Sequence, residues 1–250
     1  MRGKRVKLVF ISFICLILFN SSSSLGKVIA ETEVDLLGFG SGQKETNLGN
    51  LIADCLLDLT SAEISFVNAG SLGEGIPKGE ILPEDIERLS PYLEDTIVIL
   101  KLKGERIRQA LERSVQLFPK EGLNFLQVSG LSFSFDPNKK ALERVVEIVI
   151  KSKMKNQKLK IKREDEEKIG LLPLQEDKTY QVATLSFLAR GEIGYYRIFN
   201  EKDIISETKI TLKSALIKFL QKKKRISSLL ESRITKEQSP PRTEQKPPQD

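Results

Sequence analysis

The sequence predicts one domain of the α+β class. Apolar residues recur at helical spacing in some stretches and alternate in others, and the two patterns follow each other without a regular strand-helix repeat. A doubly wound parallel sheet would show that repeat, so a mixed arrangement of strands and helices is favoured. The part of the chain that carries these patterns, residues 31–233, has the length of a single domain.

Local patterns define the elements of the first half. Apolar residues at helical spacing predict a helix over residues 47–59, and Cys55 lies on its apolar face, where we interpret it as an inert core residue rather than a reactive thiol. The elements predicted after it are a strand over residues 64–67 that ends at Asn68, a short helix over 84–89 behind Pro83, a strand over 96–102 and, after Gly104, a helix over 105–118.

In the second half, alternating apolar residues over 126–135 predict one strand, which a turn at 136–138 joins to a returning strand over 145–150. The last strand is predicted over 180–185, and an amphipathic closing helix over 212–234. Lysines alternate from Lys151 to Lys162 and predict a hairpin with a basic face. Such a face either binds phosphate backbones or protects an exposed sheet edge, and the acidic residues at 164–167 favour protection.

The two ends differ in composition from the domain. Residues 1–30 combine a basic start, a twelve-residue apolar run and a small polar end, which predicts a signal peptide. Because a membrane-spanning helix needs about 20 apolar residues, an uncleaved anchor is disfavoured. We therefore expect an exported protein, periplasmic or secreted, without a stable membrane anchor after cleavage. Residues 234–250 are proline-rich and polar, and they predict a disordered tail, either a frayed terminus or a partner motif.

Composition excludes several classes of function. The formal charge is +6, from 40 Lys and Arg against 34 Asp and Glu, but five of the bases and none of the acids lie in residues 1–30. The rest has 35 bases and 34 acids, so we expect no nucleic acid partner. The chain contains no histidine, which excludes a Ser/His/Asp or Cys/His catalytic set and a His-ligated metal.

Several short motifs occur in a shared order across most of residues 33–220. They are ETNLGNLIAD at 45–54, NAGSL at 68–72, IPKG at 76–79, SPY at 90–92, LKG at 102–104 with LE at 111–112, FLQVSG at 125–130 with Leu131, YQVAT at 180–184 and FLA at 187–189. Together they resemble the C-terminal domain of the 5'-nucleotidases. That resemblance implies a four-layer α+β fold and the binding of the nucleoside part of a nucleotide.

In the family that this chain resembles, the reaction is divided between two domains. An N-terminal metallophosphoesterase domain carries the two metals and the catalytic residues for nucleotide breakdown, whereas the C-terminal domain presents base and ribose. Only about fifteen residues lie between the predicted signal peptide and Asn47, so we expect no metal domain here. We accordingly predict no catalytic residue, no metal ligand and no cofactor in this chain.

Four residues are predicted to bind substrate by matching the family's motifs. Phe125 and Phe187 correspond to the two rings between which the family stacks the base, and stacking contributes about 1–3 kcal/mol per base. Asn68 and Gly70 match the family's N-x-G pattern, whose asparagine contacts the base or sugar. From the residues alone, core packing of the two rings is favoured, and the resemblance makes base stacking an equal alternative. Asn68 is also consistent with a residue that caps a turn.

The charged contacts of the family are missing. Its two arginine positions correspond to Gly42 and Gly73, and the aspartate that would hold the ribose hydroxyls corresponds to Ile193. Charge-assisted contacts contribute about 1.5–3 kcal/mol each, so nucleotide binding should be weakened by several kcal/mol. Compensation by the neighbouring Arg190 or Glu192 is disfavoured, because a shift of one position redirects a side chain.

Three hypotheses follow. The first is a non-catalytic exported module with weak or altered nucleoside recognition. The second is the substrate-binding half of a split 5'-nucleotidase, with a separate metallophosphoesterase chain as partner. The third is a structural surface protein with a vestigial pocket.

Overall fold

The computed structural model describes residues 27–153 and 169–237. Most of the predicted signal peptide, residues 154–162 of the predicted lysine hairpin and residues 238–250 of the predicted tail lie outside these ranges. The helices are α1 (Asn47–Leu59), α2 (Gly104–Val115), the single turn α3 (Ser186–Ala189) and α4 (Leu212–Lys223). The strands are β1 (Ala30–Thr32), β2 (Leu36–Leu37), β3 (Ile64–Asn68), β4 (Gly75–Ile76), β5 (Gly79–Ile81), β6 (Thr96–Lys103), β7 (Leu126–Ser129), β8 (Leu131–Phe135), β9 (Val145–Lys153), β10 (Ile169–Pro173), β11 (Thr179–Leu185), β12 (Ile204–Thr211), β13 (Arg225–Ile226) and β14 (Ile234–Lys236).

A mixed five-stranded sheet forms the centre, in the order β12-β6-β11-β3-β7. Side chains along its strands point alternately into two hydrophobic cores, one on each face of the sheet. In β3, for example, Phe66 lies in one core and Val67 in the other. On one side pack α2 and a second sheet, β10-β9-β8-β14, and on the other pack α1 and α4. The layers are thus sheet, helix, sheet and helix pair, which confirms the predicted α+β class.

Most of the predicted elements are confirmed. Helix α1 has the predicted bounds, and the Thr46 side chain caps it by accepting a hydrogen bond from the Gly49 amide. Cys55 is buried on its inner face, and burial raises the pKa of its thiol. The segment Pro83–Arg88 is a 3₁₀ helix rather than an α-helix. Among the described residues, every helix is too short or too polar to span a bilayer.

The predicted single strand over 126–135 is wrong, because the chain changes sheet at Gly130. This residue has φ of 78°, and a Cβ added to it would lie 2.1 Å from the carbonyl oxygen of Glu63. Only glycine accepts both the left-handed backbone and the close approach. The break places β7 in the central sheet and β8 in the second sheet.

The C-terminal prediction is wrong in its second half. Helix α4 ends at Lys223, and Lys224 adopts φ of 62°, so the helix does not continue to residue 234. Nor is β11 the last strand, because β12, β13 and β14 follow it. Strand β14 lies beyond the domain boundary predicted at residue 233. It pairs in parallel with β8. The prediction missed it because it relied on apolar residues, whereas backbone hydrogen bonds hold this strand.

Candidate functional site

The four predicted binding residues lie at one edge of the central sheet. Strands β3 and β11 are parallel and end at this edge, whereas β7 is antiparallel to β3 and begins there. Asn68 ends β3 and Gly70 follows it, Phe187 follows β11, and Phe125 immediately precedes β7. The fold therefore brings together residues that are far apart in the sequence.

Asn68 and Gly70 shape the loops at this edge. The Asn68 side chain is fully buried, donates from Nδ2 to the Leu123 carbonyl oxygen at 3.1 Å and accepts a hydrogen bond from Ser71 Oγ at 2.7 Å. The Gly70 amide donates to the same Leu123 oxygen at 3.0 Å. Asn68 thus stabilises the turn after β3, which is the second of the two roles that its position in the sequence allowed.

Phe125 is part of the core. Its side chain is 1% exposed and belongs to the same cluster as Leu188 and Tyr195. Tyr195 packs closely here, because its hydroxyl donates to the Asn124 carbonyl oxygen at 2.7 Å. The Phe125 ring therefore supports the edge from beneath and presents no open face in this structure.

Phe187 is half-buried, and its ring stacks on Tyr92. The two ring centroids are 5.7 Å apart with an interplanar angle of 17°, and Tyr92 is 41% exposed. We call these two rings the aromatic platform. The SPY motif pointed to the Tyr92 position, but nothing in the sequence indicated that this ring, rather than Phe125, would contact Phe187.

Asp95 holds the platform in place and was not predicted. Its Oδ2 accepts a hydrogen bond from the Phe187 amide at 3.1 Å, and its Oδ1 accepts one from the Thr96 amide at 2.8 Å. Burial raises the pKa of the Asp95 carboxyl, opposed by these two amides and by the charge of Arg190. The carboxylate joins the start of β6 to the start of α3.

The two glycines at the family's arginine positions are enclosed by backbone. A Cβ on Gly73 would lie 2.1 Å from the Arg88 carbonyl oxygen, and the Gly73 amide donates to the Leu89 oxygen at 2.9 Å. At Gly42 the nearest atom to an added Cβ is the Gly122 nitrogen, at 3.0 Å. The structure thus closes position 73 to any side chain and leaves little space at position 42.

A buried glutamine fixes the loop that contains Gly42. Gln127 is fully buried, and its Nε2 donates to the carbonyl oxygens of Ser41 and Lys44 at 3.0 and 2.8 Å. Its Oε1 accepts a hydrogen bond from the Thr46 amide at 2.9 Å. The glutamine of the FLQVSG motif therefore determines where the chain enters α1 beside the site.

Arg190 is engaged elsewhere. Its guanidinium forms an ion pair with Glu201 and lies 3.3 Å from a carboxylate oxygen of Glu207. The neighbouring Glu192 side chain is exposed. In the described ranges, no group of three or more His, Cys, Asp or Glu residues is placed to hold a metal ion.

Ile193, at the aspartate position, keeps an unusual backbone. Its φ is 56°, and a β-branched residue rarely adopts the left-handed region. The carbonyl oxygens of Ile193 and Gly194 both accept hydrogen bonds from Arg113 at 3.2 Å. Arg113 thereby holds the loop in a conformation that suits asparagine, aspartate or glycine better than isoleucine.

The substitution Ile193→Asn is expected to stabilise the protein by about 1 kcal/mol, because left-handed backbone costs most residues about 1–2 kcal/mol and asparagine less. The free energy of unfolding in urea would measure this. Ile205→Asn, on β12 at a half-exposed site without positive φ, is the matched control and should give no gain. A less stable Ile193→Asn protein would show that the apolar contacts of Ile193 outweigh the strain.

Comparison with known proteins is consistent across sequence and structure. The family model for "5'-nucleotidase, C-terminal domain" matches residues 28–201. A 5'-nucleotidase-related protein of Glossina morsitans morsitans is 30% identical over 83% of this chain and 38% of its own length. The trifunctional nucleotide phosphoesterase YfkN of Bacillus subtilis is 33% identical over 63% of this chain and 10% of its own length.

Solved structures show the same similarity. The 5'-nucleotidase precursor of Thermus thermophilus superposes with a TM-score of 0.74 and 32% identity, over 85% of this chain and 40% of that one. The NAD nucleotidase of Haemophilus influenzae shares the fold, with a TM-score of 0.71 at 18% identity. The chain thus spans well under half the length of these relatives.

Proposed function

The chain belongs to the 5'-nucleotidase C-terminal domain family, and we propose that it is an exported, non-catalytic module of that family which binds free bases or nucleosides weakly. The signal peptide predicted over residues 1–30 supports export. The absence of histidine from the 250 residues supports the lack of hydrolysis, because the family's metal site uses histidines. Phosphate release from AMP by the purified chain with divalent metal would contradict the non-catalytic role.

The observation that carries the proposal is the contrast between the aromatic platform and the closed arginine positions. Phe187 keeps a partly exposed ring at the sheet edge, supported by Tyr92 and held by Asp95. An aromatic face stacks on any base without needing charge. At Gly73, backbone occupies the space in which an arginine side chain would begin. The site therefore suits the base better than the phosphate.

A split enzyme is the second candidate, and an exposed apolar rim favours it. Phe39 is 83% exposed and borders a groove that also contains Leu72 and Pro91. Leu123 is 68% exposed beside the predicted binding loops. Exposed apolar side chains around a site are typical of contacts with a partner. In a split enzyme, that partner would be a separate metallophosphoesterase chain. Phosphate release from AMP only after that chain is added would support this candidate.

Adenosine is expected to raise the melting temperature, and AMP to raise it no further. At roughly ten times the dissociation constant, a ligand stabilises the folded state by about 1.4 kcal/mol. For a domain of this size, that is a rise of about 3 °C. Phe187→Ala should abolish the shift, whereas Tyr196→Ala, which removes an exposed ring outside the platform, should retain it.

The alternatives predict other results in the same thermal-shift measurement. If no base, nucleoside or nucleotide shifts the melting temperature at millimolar concentration, the pocket is vestigial and the third hypothesis replaces the first. A larger shift with AMP than with adenosine would contradict the loss of phosphate recognition. Retention of the adenosine shift in Phe187→Ala would place the ligand away from the platform.

A further inference from the structure

A second groove, of about 530 Å³, lies between α2 and residues 194–198, and we call it the arginine groove. Arg108, Glu112 and Arg113 line it from α2, Tyr196 and Arg197 line it from the loop, and Leu142 completes its wall. It shares no described lining residue with the aromatic platform. Three arginines against one glutamate among these lining residues give the groove a positive charge.

The charge of Arg113 is not neutralised by a carboxylate of the described chain. Its Nε and Nη2 donate to the carbonyl oxygens of Gly194 and Ile193, and its Nη1 donates to Gln116 Oε1 at 2.6 Å. All three acceptors are uncharged. Among the described residues, no carboxylate lies within ion-pair distance of this guanidinium. The hydrogen bonds fix the guanidinium in position beside the groove and leave its charge available.

Arg197 and Arg108 add charge from both walls. The Arg197 guanidinium is exposed and lies over the Tyr196 ring, 5.6 Å from its centroid, and within the described ranges it has no acidic partner. Arg108 donates from Nε to Glu176 at 2.6 Å in an exposed pair. Since exposed pairs are weak, Arg108 can turn toward a bound anion at little cost.

The carboxylate in the lining is already engaged. Glu112 is 8% exposed, and its two oxygens accept hydrogen bonds from the backbone amides of Arg144 and Val145, each at 2.8 Å. This contact joins α2 to the start of β9. Glu112 is therefore held by the backbone, away from the guanidiniums, and its charge offsets only part of theirs.

An apolar surface accompanies the positive charge. Tyr196 is 66% exposed and Leu142 is 53% exposed, so both side chains leave apolar area open to solvent at the wall of the groove. A planar or apolar group can cover them, and an aromatic ring can stack on Tyr196. The groove therefore combines an apolar wall with guanidiniums on two sides.

We propose that the arginine groove binds a small aryl phosphate, in which the ring is joined directly to a phosphate oxygen, because the Arg197 guanidinium lies 5.6 Å from the Tyr196 ring centroid. A nucleotide such as AMP, whose ribose separates the base from the phosphate, does not match this spacing. A tetrahedral phosphate offers three acceptor oxygens and meets guanidiniums on separate walls at once, whereas a planar carboxylate matches one guanidinium fork. The ring of the ligand covers Tyr196 and Leu142. This second site does not depend on the nucleoside site, because different residues form each.

Phenyl phosphate tests the proposal by isothermal titration calorimetry on the purified chain. We expect it to bind more tightly than inorganic phosphate or benzoate, and phenol not to bind. Arg197→Gln should weaken binding about tenfold, as expected for a lost charge-assisted contact. Tyr196→Ala should lower the affinity for phenyl phosphate toward that for inorganic phosphate.

Two controls separate this site from general charge and from the nucleoside site. Arg225→Gln removes an exposed arginine of β13 and should leave binding unchanged; an equal loss there would overturn the proposal in favour of non-specific attraction. Phe187→Ala should keep phenyl phosphate binding while losing the adenosine response. No binding of phenyl phosphate, or equal affinity for inorganic phosphate, would overturn the proposal and leave the adenosine result intact.

Discussion

Arg233→Ala is expected to lower the free energy of unfolding by about 3 kcal/mol. The Arg233 side chain is 4% exposed and forms a bidentate ion pair with Asp54 of α1 at 2.7 and 2.9 Å. It also donates to Glu231 at 2.9 and 3.1 Å and to the Val128 carbonyl oxygen at 3.0 Å. Breaking a buried ion pair costs about 3–5 kcal/mol, and the lower end applies because both carboxylates remain partly hydrated.

The contacts of Arg233 join the C-terminal segment to the centre of the domain. Burial alone would lower the pKa of the guanidinium, but hydrogen bonds and charge attraction from Asp54 and Glu231 raise it above its ordinary value. Glu45 also holds this segment, because its carboxylate accepts hydrogen bonds from the backbone amides of Glu231 and Arg233, each at 2.8 Å. Without the guanidinium, Asp54 loses its ion pair, and Glu231 keeps only its contact with the partly exposed Lys151, at 3.2 Å.

Urea unfolding followed by circular dichroism measures the effect. Arg225→Ala is the matched control, because its side chain is 67% exposed and pairs with Glu31 and Glu33 at 3.2 and 3.5 Å, so it should cost no more than about 0.5 kcal/mol. If Arg233→Ala changes stability by less than about 1 kcal/mol, the backbone contacts of Glu45 hold the C-terminal segment unaided.

Local patterns in the sequence predicted the elements with strong periodicity. Helix α1 has a continuous apolar face and a capping threonine, and its predicted bounds are those of the structure. The strand predicted over residues 64–67 likewise ends at Asn68, as expected. These features depend on neighbours within a few residues, which the sequence displays directly.

Features that depend on distant contacts were not predictable. Strand β14 has three residues and forms only because β8 is available to pair with it. Arg233 lies 179 residues from Asp54, so nothing near it in the sequence indicates a buried ion pair. The burial of Phe125 likewise depends on packing with Tyr195, seventy residues further along the chain. Short strands and non-local packing leave no periodic signal.

The missing arginine at position 73 has a structural cause that bears on any attempt to restore nucleotide binding. Gly73 packs between two backbone segments. A Cβ added to Gly73 would lie 2.1 Å from the Arg88 carbonyl oxygen, and a Cβ added to Gly38 would lie 2.0 Å from the Gly73 carbonyl oxygen. Both neighbours are backbone and not flexible side-chain ends. The absence of a side chain at position 73 is therefore built into the packing of this edge.

Gly73→Arg is accordingly expected to destabilise the protein by about 3 kcal/mol and to restore no AMP binding. Because the clash begins at Cβ, Gly73→Ala should cost nearly as much, at the upper end of the range for overpacked sites. Glu74→Arg is the control: it adds a guanidinium at the next, exposed position and should change stability by no more than about 0.5 kcal/mol. Urea unfolding and calorimetry with AMP measure the two effects. A stable Gly73→Arg protein that binds AMP more tightly than adenosine would contradict both expectations. It would show that the backbone at Arg88 moves to admit the side chain, and that the loss of this arginine alone weakened an otherwise intact nucleotide site.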